Sequence, residues 1–93
     1  MNRVYKALSD PTRRKILELL RSGDKTAGEL GQQFPHTAPT MSKHFSVLKD
    51  ADLIQGDKSG TSISYRLNVS LLEEAMLSLL NQFKLELSQP AKE

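Results

Sequence analysis

The chain has 93 residues, 38% of them hydrophobic and 26% charged, with a formal net charge of +2 and no cysteine. That composition fits one folded domain and excludes a disulfide scaffold, thiolate metal sites and a thiol nucleophile. No run of about 18 apolar residues is present, and the N-terminus lacks the apolar stretch of a secretory signal, so the sequence reads as a cytoplasmic protein without stable membrane insertion. A domain of this size buries only roughly 60–65% of the surface its unfolded chain exposes, which makes a partner subunit useful. The charge is uneven. Residues 1–68 carry eleven Lys and Arg against seven Asp and Glu, whereas residues 69–93 carry two against four. An ordinary solvated surface accounts for that as well as a footprint for a polyanion does, so the motifs must decide.

In chain order, residues 2–9 read as a short helix with Val4, Tyr5 and Leu8 on one side. Asp10 can cap a second helix and Pro11 suits its first position, where the missing N–H costs nothing. Ile16, Leu17 and Leu20 point inward along it, and Ser22-Gly23-Asp24 ends it. Thr26 and Glu29 stand at capping-box spacing and open a third helix over about residues 26–34. Pro35-His36 makes the turn. Thr37 caps a fourth helix that tolerates Pro39 in its first turn and runs to about Asp50, with Met41, Phe45 and Leu48 on one apolar face. Leu53-Ile54-Gln55 is extended, residues 56–60 are turn-rich, and Ile63 to Leu67 alternates apolar and polar. Together these predict a β-hairpin with a basic tip. Ser70 and Glu73, again at capping-box spacing, open one long helix to about Ser88, after which Pro90-Ala91-Lys92-Glu93 should fray.

That last helix is too apolar for its own domain. Leu72, Met76, Leu79, Leu80, Phe83 and Leu87 complete one stripe, and Leu71, Leu77 and Leu85 add positions outside it. A helix packed on a single surface needs one stripe of about 100°. The surplus predicts a second surface, and in so small a domain that surface is another copy of the chain in a symmetric dimer.

Two short helices joined by a tight turn and followed by a hairpin give the order of a winged helix-turn-helix, in which the second helix enters the DNA major groove. The inserted helix needs an apolar anchoring face and an opposite face of short polar groups and cations, free of carboxylates that would repel phosphates. The helix from Thr37 meets both demands. Thr40, Ser42, Lys43 and Ser46 lie on or near the polar side, and no acid occurs before Asp50. Thr37, Ala38, Thr40 and Ser42 are candidates for base edges, and Lys43 for guanine or a phosphate. Lys58 at the hairpin tip and Arg66 on the return strand suit the backbone or the adjacent minor groove. The expected architecture is therefore mainly α with a β-hairpin: a single winged helix-turn-helix domain over residues 1–93, with five helices and a two-stranded wing, homodimeric. Residues 26–50 form the helix-turn-helix and 53–67 the wing.

The stretch from Ala7 to Leu17, Ala-Leu-Ser-Asp-Pro-Thr-Arg-Arg-Lys-Ile-Leu, resembles the opening signature of the ArsR-type winged-helix repressors. Residues 37–48, Thr-Ala-Pro-Thr-Met-Ser-Lys-His-Phe-Ser-Val-Leu, are similar to that family's recognition helix, and Ala51-Asp52-Leu53-Ile54 to its lead-in to the wing. The match covers about residues 4–67, and the short chain most resembles the SdpR-like autorepressors, which lack metal ligands. The resemblance implies a bacterial transcriptional repressor that binds a double-stranded, inverted-repeat operator as a homodimer and regulates its own gene. It also implies that the first and last helices, 1–9 and 70–88, form the dimer interface, placing Val4, Tyr5, Leu8, Met76, Leu79, Leu80, Phe83 and Leu87 there. For relief of repression the resemblance favours a sequestering protein, with dilution and turnover of the repressor as the alternative.

No metal or cofactor is expected. Family members that sense metals use a Cys-x-Cys pair or Asp, His and Glu ligands on the last helix. Residues 24–30 hold no cysteine, and the last helix holds no histidine, only Glu73, Glu74 and Glu86. His36 and His44 are eight apart, not the i, i+4 pair of a helical zinc site. His36 reads as a polar turn residue, and His44 as flanking the core or approaching a phosphate. No glycine-rich phosphate cradle or carboxylate dyad supports catalysis, so an enzyme is not expected. Two other readings remain open at this point: a dimeric winged-helix module that docks onto an acidic protein, and a repressor responsive to a small ligand.

Overall fold

A computed structural model describes residues 1–87. The elements are α1 (Asn2–Leu8), α2 (Pro11–Leu20), β1 (Lys25–Thr26), α3 (Ala27–Gly31), α4 (Ala38–Asp50), β2 (Ile54–Ser59), β3 (Ser62–Leu67) and α5 (Val69–Gln82). Each helix start follows from local chemistry. Asp10 caps α2 by accepting from the Arg13 amide at 3.1 Å, with Pro11 at the first position. Thr26 and Glu29 close a full capping box on α3, at 3.0 and 2.8 Å. The Thr37 hydroxyl accepts from the Thr40 amide at the head of α4.

The apolar faces then converge. Ile16, Leu17 and Leu20 of α2, Leu30 of α3, and Met41, Phe45 and Leu48 of α4 are all buried, together with Val4, Ala7, Leu53, Ile54 and Tyr65. Full burial of one such side chain stabilises the fold by about 1.5–3 kcal/mol. The Phe45 and Tyr65 rings meet at 4.9 Å between centroids, locking α4 against the wing. Burial pushes the Tyr65 phenol pKa up, so the ring stays neutral.

Several boundaries differ from the sequence reading, each for a physical reason. The wing is two strands of a three-stranded antiparallel sheet in the order β1-β3-β2, with Lys25 opposite Tyr65 and Thr26 opposite Ser64. A two-residue strand has no periodicity of its own to reveal it. The α3 helix stops at Gly31, and the chain tightens through i→i−3 bonds from Gln33 to Leu30 and Phe34 to Gly31. The hairpin turns at residues 60–61, Ser59 pairing with Ser62 and Gly60 taking φ +60°. Gly56 is therefore a strand residue. A Cβ there would stand 3.2 Å from the Tyr65 ring and 3.3 Å from Ile63, so its absence lets those side chains cross the strand.

The start of α5 is Asn68, not Ser70. Its Oδ1 accepts from the Leu71 amide at 3.3 Å while its Nδ2 donates to the Asp52 carbonyl at 2.9 Å, tying the helix to the base of the wing. Both α4 and α5 end in Schellman motifs. In the first, Asp52 takes φ 62°, and the Leu53 and Asp52 amides donate back to Leu48 and Lys49. In the second, Lys84 takes φ 57°, and the Leu85 and Lys84 amides donate to Leu80 and Asn81. The last helix thus stops at Gln82 and not near Ser88. The expected fraying of residues 90–93 lies outside the described residues. No helix among the described residues is long and apolar enough to cross a membrane.

Candidate nucleic-acid interface

Anchored through Met41, Phe45 and Leu48, α4 turns its other side to solvent. Thr37, Ala38, Thr40, Ser42, Lys43 and Ser46 are all exposed. At 100° per residue, Lys43 and Ser46 project opposite the anchor, while Thr40 and Ser42 flank them on either side. Among the described residues, Lys43 enters no ion pair. Along α4 the stretch is free of acids as far as Asp50, two turns beyond Lys43 at the far end of the helix. Thr37 has a narrower role than the sequence reading gave it. Its hydroxyl oxygen accepts from the Thr40 amide, and its own O–H donates to the Thr40 hydroxyl at 3.1 Å. What remains free is the Thr40 hydroxyl hydrogen and the two methyl groups, at the helix N-terminus where the dipole favours phosphate.

The sheet register separates the two wing cations. Lys58 pairs with Ile63, one rung behind the tip pair Ser59–Ser62, so it sits on β2 and not at the tip itself. Alternation puts its side chain on the same face as Gly56 and Tyr65, the face that packs on α4. Arg66 pairs with Gln55 on the opposite face, four rungs behind the tip, roughly 13 Å along the strand. Its guanidinium donates to the Gln55 Oε1 at 3.2 Å.

Behind α4 lies a polar cluster that sequence reasoning missed. Arg13 on α2 donates through Nε to the Ala7 carbonyl at 2.9 Å and through Nη2 to the Lys6 carbonyl at 3.1 Å. Its Nη1 lies 3.3 Å from His44 Nδ1 on α4. Asp10 Oδ2 lies 3.9 Å from the same ring nitrogen. His36 in the turn meets the Thr12 hydroxyl at 3.2 Å. Partial desolvation is the largest single influence on Asp10 and opposes its ionisation. The Arg13 amide, the Arg13 guanidinium, His44 and the Thr12 amide together outweigh it, holding the carboxyl below the usual range. The one sequence signal for this cluster is Arg13-Arg14 in the first turn of a proline-started helix, and nothing local says what those arginines reach.

The last helix, α5, buries a single residue in its protomer, Ala75. Met76, Leu77, Phe83, Leu85 and Leu87 are 41–73% exposed. The Lys84 reversal brings Leu85 and Leu87 onto the groove lined by Leu72, Met76, Leu80 and Phe83. Of the α1 residues expected at a dimer seam, Tyr5 and Leu8 are half-buried, and Tyr5 donates to the Ser78 hydroxyl at 3.4 Å. Val4, at 5% exposure, packs in the protomer's own core. A short helix shows which face is apolar but not what covers it. Among the described residues, no group of three or more His, Cys, Asp or Glu is arranged to hold a metal ion.

An anchored helix with an acid-free polar face, preceded by a capped short helix and flanked by a wing, defines a helix-turn-helix DNA-binding regulator. Residues 8–57 match the model of a helix-turn-helix domain family. The chain is 46% identical over 81 residues to the transcriptional repressor SdpR of Bacillus subtilis (strain 168), covering 87% of this chain and 90% of that protein. It is 37% identical over 73 residues to the arsenical resistance operon repressor of Staphylococcus xylosus, covering 78% and 70%. The crystal structure of an ArsR family transcriptional regulator superposes with a TM-score of 0.82 at 30% identity, covering 89% and 86%. This chain belongs to the ArsR-type helix-turn-helix family of transcriptional regulators.

Proposed function

We propose that this chain is a transcriptional repressor that binds an inverted-repeat operator as a homodimer, with α4 as the reading helix. The observation that carries the reading is the exposed, acid-free face of Thr40, Ser42, Lys43 and Ser46 on a helix whose other face is buried. Such a face fits a major groove about 12 Å wide. Ala38 and the threonine methyls suit thymine methyls, Ser42 and Ser46 suit base edges, and Lys43 suits guanine or a phosphate. Lys58, on the α4 side of the wing, takes a backbone phosphate. Arg66, on the other face and held by Gln55, contributes less than Lys58.

The exposed apolar side of α5 supports the dimer, since it is too apolar to remain in water. Tyr5 joins α1 to the same seam through Ser78. Two protomers would then present their α4 helices to successive major grooves about 34–36 Å apart on one face of the DNA. Occupancy of the operator blocks transcription in the cytoplasm, the chain's own gene being among its targets. Relief of repression by a sequestering protein, with no metal, cofactor or enzymatic step, is part of the same proposal and rests on the family resemblance of the sequence alone.

The test is selection of duplexes from a random pool, followed by mobility shift at moderate salt. Wild type should enrich an inverted repeat, and Lys43→Glu should lose about tenfold or more in affinity for it. Lys58→Ala should weaken all duplexes alike and lower the salt slope by about one unit, with a smaller effect for Arg66→Ala. Undiminished operator binding by Lys43→Glu would remove α4 from the reading role.

A further inference from the structure

The cluster behind α4 raises a question that the DNA contacts leave aside: what sets the rotation of the reading helix. Arginine carries only donors, so the 3.3 Å contact between Arg13 Nη1 and His44 Nδ1 is a hydrogen bond only while Nδ1 carries no proton. The His44 side chain is 16% exposed, and it lies on α4 between the exposed Lys43 and the buried Phe45. The same guanidinium grips the Lys6 and Ala7 carbonyls at the end of α1. One side chain on α2 thus connects α1 to α4.

We propose that Arg13 is a positioning residue for α4 and that protonation of His44 releases it. A proton on Nδ1 removes the only acceptor that the ring offers Arg13 and sets two cations against each other. The new N–H turns instead to Asp10 Oδ2, 3.9 Å away. That oxygen already caps α2 through the Arg13 amide, so the histidine competes with the cap. Arg13 and Asp10 from α2, and His36 from the turn with its ring centroid 6.2 Å away, are the titratable and charged groups facing His44. From α1, Arg13 receives only backbone carbonyls, and Lys6 itself is exposed. The experiment spans pH 5.5 to 8, within the range where histidine as a class changes charge.

This inference rests on the reading of α4 as the DNA-contacting helix, and the experiment separates the two. Added positive charge near DNA strengthens binding to every sequence. A change in helix placement alters the ratio of operator affinity to random-duplex affinity. That ratio is measured by fluorescence anisotropy from pH 5.5 to 8 at fixed salt. In wild type it should fall by about tenfold toward low pH, the effect of losing one charge-assisted hydrogen bond. In His44→Gln the amide oxygen can accept from Arg13 at any pH, so the ratio should stay high and flat within about twofold. His36→Gln should keep the wild-type profile. Arg13→Gln should give a low, flat ratio, with circular dichroism reporting whether the fold persists; if it does not, His44→Gln remains decisive. A flat wild-type ratio, or a pH dependence that survives in His44→Gln, overturns the proposal. Operator preference without pH dependence leaves the DNA-reading role intact, whereas no preference at any pH overturns both.

Discussion

Lys84 holds the left-handed conformation, φ 57°, at the point where α5 ends. An L-residue there costs roughly 1–2 kcal/mol relative to glycine, because Cβ crowds the following carbonyl. Glycine returns about 0.5–1 kcal/mol of that through the greater freedom of its unfolded chain. Lys84→Gly should therefore be more stable than Lys84→Ala by about 0.5–1 kcal/mol, a comparison in which the lost charge cancels. Were the helix to run on through this position, as its leucine pattern suggests, the sign would reverse. Glycine inside a helix is about 1 kcal/mol worse than alanine. The two geometries differ by up to about 2 kcal/mol, and a difference of 1 kcal/mol moves the melting temperature by about 4–8 °C in a domain of this size. Thermal and urea unfolding of the two variants, followed by circular dichroism at equal protomer concentration, decides the matter. An alanine variant more stable than the glycine variant refutes the Schellman end of α5. It would also refute the reversal that places Leu85 and Leu87 on the apolar groove.

Asp10→Ala should cost about 1 kcal/mol at neutral pH by removing the cap on the Arg13 amide. The folded carboxyl titrates below its unfolded value, so its contribution is complete above the ordinary carboxylate range and disappears as pH falls through the folded value. The urea midpoints of wild type and Asp10→Ala should accordingly converge between about pH 5 and 3, and a constant gap would show that the charge plays no part. Phe83→Glu, at a side chain 62% exposed in the protomer, should leave the helical content intact and convert a micromolar dimer to monomers in sedimentation velocity. An undisturbed dimer would move the interface away from α5.

The helix α4 was legible in the sequence because every signal for it is local. A capping threonine, a proline in the first turn and apolar residues at 41, 45 and 48 define both its span and its buried side, and the structure keeps both. The wing was half legible. Alternation at Ile63, Tyr65 and Leu67 marks β3, but Gly56 looks like a turn residue when its reason is the crossing of Tyr65 and Ile63, 9 and 7 positions away. Composition does not distinguish a glycine that bends the chain from one that makes room. The same limit applies to Asn68 and Ser70, which have equal capping chemistry. Asn68 prevails because its amide also reaches Asp52, a partner 16 positions distant. Lys84 carries no mark of its left-handed conformation, so the end of α5 was invisible.

The charge count says nothing of where each cation goes. Arg13 and Arg14 belong to the positive surplus of the first 68 residues. In the structure Arg14 donates to the Leu8 carbonyl at 2.7 Å, Arg13 to Ala7 and Lys6, and the Ser9 hydroxyl to Lys6 at 2.6 Å. A helix of seven residues is marginal alone, and its last carbonyls have no partners within it. The two arginines supply those partners and so hold α1 in place. Because α1 meets α5 through Tyr5 and Ser78, and α4 through Arg13 and His44, it lies between the proposed dimer seam and α4. The most basic stretch of the sequence thereby ties α1 to its neighbours, while the proposed DNA-facing side of α4 carries one lysine and a few hydroxyl groups.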